Sequence, residues 1–553
     1  MAKGNENVRK LLEDRVLEHG AKAFLFSEAD GREWSYAEFN HAVNRTANML
    51  RSYDIAKGDV VSLLLPNSAE YIIAYFACWK IGAIAGPVNS LLKSEEIAWV
   101  VGNSEAKLML VGTTGGNTSG SECAQPVKDS TSRTLPTGRV STFSADTILF
   151  ADVDSVTADF SDKLDNVEID TDDDAIIIYT SGTTGKPKGC LLTHGNLIAN
   201  ARQIAEWMNF GPDDRLLTVM PLFHMNAVSV TTMTALYAGG STVVAQKFSA
   251  SRFWEIVEKY KITSFGSVAT MLSMLLSHQQ SAVRDQQSSS NSEHSSLVTH
   301  HSSLRFVMCG SAPVPAELLR KFEETFGCLV IEGYGLSEST CRSTFNPPNQ
   351  SRRPGSCGQP IGNEMKVVDD DDNEVAEGEL GEIVLRGANI CKAYFKNEEA
   401  TKKAFRGGWF HTGDIGYRDA DGFFYIADRK SDMIIRGGEN IYPREIDDVL
   451  YTHPAVEAAA VIGVPDELYG EEVAAFVVLK NGFKSSPPYE GGEDAALGGR
   501  GGSFVTADDL IEFCKLHLAD YKCPKTIHFL DEIPKGPTGK LLKRELALVF
   551  GAS

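Results

Sequence analysis

The run Tyr179-Thr180-Ser181-Gly182-Thr183-Thr184-Gly185-Lys186-Pro187-Lys188-Gly189 lies between two short apolar stretches, residues 175–178 and 190–192. Apolar stretches of that length, bounded by Gly and Pro, read as buried strands, so the run is a loop joining two elements of a sheet. Its glycines allow positive φ and close backbone approach. Its hydroxyls and backbone N–H groups can form an anion nest, to which Lys186 and Lys188 add positive charge. Such a loop suits a polyphosphate. It is not a Walker A loop, because only two residues separate Gly182 from Gly185-Lys186 and no Ser or Thr follows that lysine. A plain surface turn is the alternative, and the density of hydroxyls and glycines directly after a buried strand speaks against it.

The chain has 553 residues, 42% hydrophobic and 23% charged, enough for more than one domain. A formal net charge of −21 disfavours nucleic acid and anionic membranes as bulk partners. An anionic substrate must then be drawn by a local basic site. The ten cysteines form no CxxC pair and no zinc spacing, which indicates reduced thiols and a cytoplasmic setting. No signal-peptide pattern and no apolar run of membrane-spanning length is expected. The reading also admits a homodimer.

Residues 8–110 alternate helical and strand patterns, as in a doubly wound α/β domain. Ser35 with Glu38 forms a capping-box pattern for a helix running to about Leu50. Residues 61–65 read as a strand, 68–79 as a helix, 252–260 as an amphipathic helix, 305–309 as a strand and 315–326 as a helix. Three polar segments, 113–145, 279–303 and 484–502, read as long loops. The second carries His294, His300 and His301. A Ser/Gln-rich loop supplies no rigid ligand geometry, so a metal reading there is disfavoured.

Several further motifs follow in order. Met220-Pro221-Leu222-Phe223-His224-Met225-Asn226 places a histidine in an apolar run. Gly310-Ser311-Ala312-Pro313 ends a strand, and ligands in such sheets bind beyond the carboxyl ends of strands. In Glu332-Gly333-Tyr334-Gly335-Leu336-Ser337-Glu338, Tyr334 can stack on a purine, Ser337 can donate to an oxygen, and Glu338 offers a hard ligand for Mg²⁺. Asp414, after a Thr-Gly turn, suits a ribose diol, because one carboxylate accepts two hydrogen bonds. Asp428-Arg429-Lys430-Ser431-Asp432 is a short polar linker before Arg436-Gly437-Gly438-Glu439-Asn440, and Pro534-Lys535-Gly536-Pro537-Thr538-Gly539-Lys540 closes the series.

Taken together these motifs resemble those of the adenylate-forming superfamily, which includes acyl-CoA synthetases, firefly luciferase and peptide-synthetase adenylation domains. The resemblance spans essentially the whole chain, closest in pattern to AMP-forming acyl-CoA synthetases. It implies an α/β fold with a large multi-layer N-terminal domain of mixed sheets and helices, residues 1–428, and a small mobile α+β domain, residues 433–553. Residues 429–432 would be the hinge, pivoting at Ser431. It implies ATP, Mg²⁺ and coenzyme A as cofactors and co-substrates. Thr180 to Lys188 would cradle phosphates, with Thr180 and Glu338 at the metal. Gly310, Ser311, Ala312, Glu332, Gly333, Tyr334, Gly335, Ser337, Asp414 and Arg429 would hold the nucleotide, and Lys540 would be catalytic. His224 takes the place of an aromatic residue beside the acyl carboxylate that gates thiol access. His224, Met225, Val228 and Gly335 would line the acyl pocket. Arg436, Gly437 and Gly438 would meet CoA.

Met225 stands where amino-acid-activating members commonly carry Asp, so a substrate ammonium would lack its partner. Gly335 replaces the Trp of acetate-specialised members and is expected to leave room for a longer tail. The pattern departs from the family at Ala393-Tyr394, where Gly-Tyr is usual and only a local backbone effect is expected. The reading is an ATP-dependent carboxylate–CoA ligase acting on a non-acetate, apolar acid such as a fatty acid. Its rivals are an adenylation enzyme loading a carrier-protein thiol, a luciferase-like oxygenase and a catalytically dead nucleotide binder. Ile435, where luciferases carry lysine, disfavours the second, and the presence of Lys540, Glu338 and the loop disfavours the third.

Overall fold

A computed structural model describes residues 6–112, 133–134, 140–141, 145–180, 187–288, 303–311, 314–485, 503–535 and 541–550. The backbone clusters into two compact units, residues 1–365 with 384–411 and residues 366–383 with 412–553. Residues 366–383 and 412–428, expected in the large domain, fall in the second unit. The strand Trp409–Arg418 runs antiparallel to Phe424–Arg429.

The first unit is organised around one helix, Ala69–Lys80, in which every residue is buried. Ser68 caps it, its hydroxyl accepting from Tyr71 N–H at 3.3 Å. The helix packs against strands of two different sheets, so it needs apolar residues all round, and its sequence supplies them. Its few polar tips are each used. Tyr71 Oη donates to the Leu63 carbonyl at 3.0 Å, Tyr75 Oη to Leu222 at 2.7 Å and Trp79 Nε1 to Ala175 at 2.9 Å. Lys80 Nζ donates to Asn40 and Asn44 and pairs with Glu13 at 3.1 Å. A buried charge is tolerable only when satisfied in this way.

On one side lies a nine-stranded sheet with six parallel strands at its centre, in the order Leu329–Tyr334, Phe306–Cys309, Ser264–Ser267, Arg215–Thr218, Ser241–Val244 and Ala23–Ser27. On the other lies a seven-stranded sheet in which Asp174–Thr180 runs antiparallel to Lys188–Thr193. The fold is thus α/β with mixed sheets. In the second unit, Ile434–Arg436, Glu439–Ile441, Val456–Asp466, Gly470–Leu479 and Thr526–Phe529 form a five-stranded sheet, packed by the helix Pro443–Thr452.

The local patterns are realised with small shifts. Ser35 and Glu38 form the capping box of the helix Tyr36–Ser52. The strands appear at Val60–Leu64 and Phe306–Cys309, and the helices at Phe253–Tyr260 and Ala316–Phe326. The polar segments need correction. Residues 279–288 continue the helix Ala269–Ser288, because the apolar first half nucleates a helix that polar residues then extend. Residues 133–134 and 140–141 pair antiparallel, and Phe483–Ser485 pairs parallel with Ser503–Val505. His294, His300 and His301 lie outside the described residues. The nine described cysteines are free thiols, all but Cys357 buried. Among the described residues no helix is long and apolar enough to cross a membrane.

Trp79 is the largest fully buried side chain among the described residues and also satisfies the Ala175 carbonyl. Trp79→Ala should lower the unfolding free energy of the first unit by about 3–5 kcal/mol, measured by urea denaturation.

Candidate active site

The turn after the Arg215–Thr218 strand is fixed by its neighbours on both sides. Asn67 Nδ2 donates to the Met220 carbonyl and its Oδ1 accepts from Leu222 N–H, each at 2.8 Å. Tyr75 holds the Leu222 carbonyl, and His224 N–H donates to the Pro221 carbonyl at 2.9 Å. The His224 imidazole is thereby presented with its Nε2 buried and without a hydrogen-bond partner. Burial pushes its pKa down to about 4, so it is neutral at physiological pH.

A π-helix, Asn226–Met233, follows and is buried along its whole length. Its wide turns are stabilised by hydroxyls. Thr231 and Thr232 both donate to the Ala227 carbonyl, at 3.0 and 2.8 Å, and Thr234 donates to Ser229 at 2.9 Å. π-Helical turns concentrate at functional sites, and this one sets the direction of the residues around it. Met225 and Val228, the expected acyl-pocket residues, are both buried here.

Thr180 and Lys188 are cross-strand partners at the ends of two antiparallel strands, flanking the expected phosphate loop. Lys188 Nζ sits 5.4 Å from the centre of the Tyr394 ring, and Tyr394 Oη donates to Glu338 Oε1 at 2.9 Å. Burial, and then the Glu338 charge, raise the Tyr394 pKa, which keeps the phenol a neutral donor. Glu338 is further located by its carbonyl, which accepts from Cys391 N–H at 2.7 Å. A carboxylate with one oxygen held by a neutral phenol fits Mg²⁺, which uses one or two carboxylates and takes further ligands from substrate phosphates. Sequence reasoning missed Tyr394's part: the departure at Ala393-Tyr394 marked the place, but only the pairing of Tyr394 with Cys190 brings the ring to Glu338.

Gly310, Ser311, Glu332, Gly333, Tyr334, Gly335 and Ser337 lie at or just beyond the carboxyl ends of the parallel strands, as expected. Ser311 adopts φ 72°, a left-handed conformation costly for serine and frequent at ligand sites. Gly335 requires a correction. A Cβ there would lie 2.0 Å from the Cys341 carbonyl oxygen and 2.8 Å from Arg342 Cα. The space beside Gly335 is backbone, so its glycine serves a close chain approach and opens no room for an acyl tail.

Three other glycines sit on one face of the large sheet. A Cβ on Gly266 would meet Asn226 Oδ1 at 2.4 Å, one on Gly310 would meet Arg342 Nη2 at 2.8 Å, and one on Gly333 would meet the Phe345 ring at 2.4 Å. Register places Gly266 beside Met308, and Met308 and Gly310 point the same way, so these side chains cover one common face. Asn226 Oδ1 and Nδ2, and Arg342 Nε and Nη2, are buried with no hydrogen-bond partner. Neither residue was singled out from the sequence.

In the second unit, Asp414 and Arg429 are cross-strand partners and form an ion pair at 2.6 Å. Ser431 is exposed and donates to Asp432 at 3.0 Å. Arg436 pairs with Glu472 and stacks 4.0 Å from the Tyr469 ring centre. Gly437 and Gly438, both at positive φ, form the two-residue turn between Ile434–Arg436 and Glu439–Ile441. Ser181, Gly182, Thr183, Thr184, Gly185, Lys186, Ala312 and Lys540 lie outside the described residues.

Residues 12–395 match the family described as AMP-binding enzyme, and residues 445–540 match the AMP-binding enzyme C-terminal domain. The chain is 34% identical over 547 residues to an oxalate–CoA ligase of Arabidopsis thaliana, covering 97% of this chain and 98% of that one. It is 33% identical over 534 residues to a long-chain-fatty-acid–CoA ligase of Mycobacterium tuberculosis, covering 96% of each. It superposes on the crystal structure of ATP-bound MatB from Rhodopseudomonas palustris with a TM-score of 0.81 at 27% identity, covering 99% of both chains.

His224 and the fully buried His194 are each held near a pKa of about 4, by burial in both cases and against the opposing charge of Asp173 for His194. The unfolded chain binds protons at both residues below pH ~6.5, whereas the folded chain does so only below about 4. Stability of the first unit should therefore fall as pH drops from 6.5 to 4, by up to about 3 kcal/mol per histidine. Urea midpoints across that window should decline, and His194→Gln should flatten the decline.

Proposed function

The chain belongs to the AMP-binding enzyme family, and on that premise we propose an AMP-forming carboxylate–CoA ligase that works in two half-reactions. In the first, an acid's carboxylate attacks the α-phosphorus of ATP, giving acyl-adenylate and pyrophosphate. In the second, CoA thiolate attacks the acyl carbon and AMP leaves. A carboxylate is a poor electrophile at carbon, and adenylation turns its oxygen into part of a good leaving group. Two anions must be brought together, so the protein's task is positioning and charge neutralisation. Bound Mg²⁺ supplies part of that neutralising charge. One observation carries the assignment: Glu338 is tied through Tyr394 to Lys188, at the end of the stretch we assign to phosphate binding.

Thr180 to Lys188 cradles the pyrophosphate, Tyr334 stacks on adenine, and Asp414 with Arg429 holds the ribose side of the nucleotide. Neutral His224 sits beside the acyl carboxylate, where a charged imidazolium would bind the ground state too tightly. Residues 429–432 act as the hinge, and Arg436, Gly437 and Gly438 meet CoA after it turns. Buried thiols support a cytoplasmic setting, and a homodimer is compatible with every role named.

Buried Met225 and Val228 support an apolar tail such as that of a fatty acid. Arg342 favours a second reading, in which the far end of the acid is charged. Pyrophosphate release across a panel of carboxylic acids tests the ligase assignment, and failure of every acid would overturn it.

Lys540 stabilises charge only while carboxylate and ATP react. Lys540→Ala should slow adenylation ~10²–10³-fold, the usual effect of deleting one preorganised electrostatic donor. The same variant, given pre-made acyl-adenylate, should make thioester at a near-normal rate. Ser431→Pro should do the reverse, because fixing φ at the pivot restricts rotation. Single-turnover measurement of each half-reaction separates these outcomes, and equal slowing of both steps by Lys540→Ala refutes the alternation.

A further inference from the structure

Arg342 is among the largest fully buried side chains of the chain. Its Nε and Nη2 have no hydrogen-bond partner, although arginine cannot shed its charge inside a protein. Its backbone, by contrast, is held firmly. The Arg342 carbonyl accepts from Asn200 Nδ2 at 2.6 Å and from Asn389 Nδ2 at 3.2 Å, and its N–H donates to Asn200 Oδ1 at 3.3 Å. Asn200 Oδ1 in turn accepts from Ser229, inside the π-helix, at 2.9 Å. The residue is thus positioned by a rigid frame while its Nε and Nη2 are left without hydrogen-bond partners.

The guanidinium lies against Gly310, at the carboxyl end of a parallel strand. On the adjacent strand the Asn226 amide, also unpartnered, lies against Gly266 on the same face. One strand spacing and two residues along place those glycines on the order of 8 Å apart. The Phe345 ring, 5.5 Å from the guanidinium carbon, offsets part of the desolvation but supplies no acceptor. Glu332 shares the neighbourhood: burial pushes the Cys309 thiol up to about 12, with Glu332 adding to this and Arg342 opposing it. Glu332 accepts from Gly355 N–H at 3.0 Å, and neither Arg342 Nε nor Nη2 bonds to it.

We propose that Arg342, assisted by the Asn226 amide, binds a second anionic group at the far end of the acid, so that the substrate is a carboxylic acid ending in another carboxylate or a sulfonate. This specificity rests on the ligase assignment above. A planar guanidinium with free donors matches a carboxylate fork, and a buried one has most to gain from the match. Met225 and Val228 then pack against the apolar middle of the acid, with the charge at its end.

Matched pairs of equal length test this: butanoate against succinate, and hexanoate against adipate, scored by kcat/KM for pyrophosphate release. The wild-type chain should favour a diacid over its partner at least tenfold. Arg342→Met should lose that preference through the diacid alone, and Arg342→Lys should restore part of it. Without ligand, Arg342→Met should melt at or above the wild-type temperature, because it removes a buried cation with two unpartnered donors; a structural role would lower the melting point. Diacids should raise the wild-type melting temperature and leave that of Arg342→Met unchanged. Wild-type preference for the monoacids, or equal loss on both members of a pair in Arg342→Met, overturns the proposal while leaving the ligase assignment intact. No pyrophosphate release from any acid overturns the ligase assignment instead.

Discussion

Much of the first unit depends on how the buried helix Ala69–Lys80 satisfies its polar tips. A helix covered on every side must be apolar, yet aromatic residues carry polar ends that cannot be left dry. Here each end finds a backbone carbonyl, and one of these, on Leu222, belongs to the turn that presents His224. With Asn67 clamping the same turn, packing of the core and placement of the site become one event. A cavity in this helix would therefore disturb chemistry as well as stability.

The site reverses the rule that governs the core. On the helix the tyrosine hydroxyls and the indole N–H are each paired; at the carboxyl ends of the parallel strands, His224 Nε2, the Asn226 amide, and Arg342 Nε and Nη2 are not. Unpaired buried groups cost roughly 1–3 kcal/mol each, and more when charged. Such a cost persists where a bound molecule repays it. Glycines at 266, 310 and 333 make the arrangement sterically feasible by letting side chains lie directly on the backbone.

Legibility followed the range of the interaction. Capping at Ser35, the buried strands and the phosphate-loop flanks depend on neighbours in sequence, and they could be read from it. The helix extension to Ser288 was missed because polar residues carry no periodic signal once an apolar segment has begun the helix. Gly335 was read by motif position as open space, but what fills that space is backbone six residues later, at Cys341. Tyr394 reaches Glu338 only because its short strand pairs with Lys188–Thr193, which lies far away in sequence.

The sequence by itself determined the α/β layering, the order of the motifs and the chemistry class, because these rest on local hydrophobic pattern, turn residues and residue types at fixed spacing. Tertiary structure alone decided which polar groups are left without partners. Burial and partnership are properties of the folded surroundings: Arg342 is an unremarked cation in the sequence, and only packing against Gly310, with Asn200 and Asn389 on its backbone, turns it into an unsatisfied one.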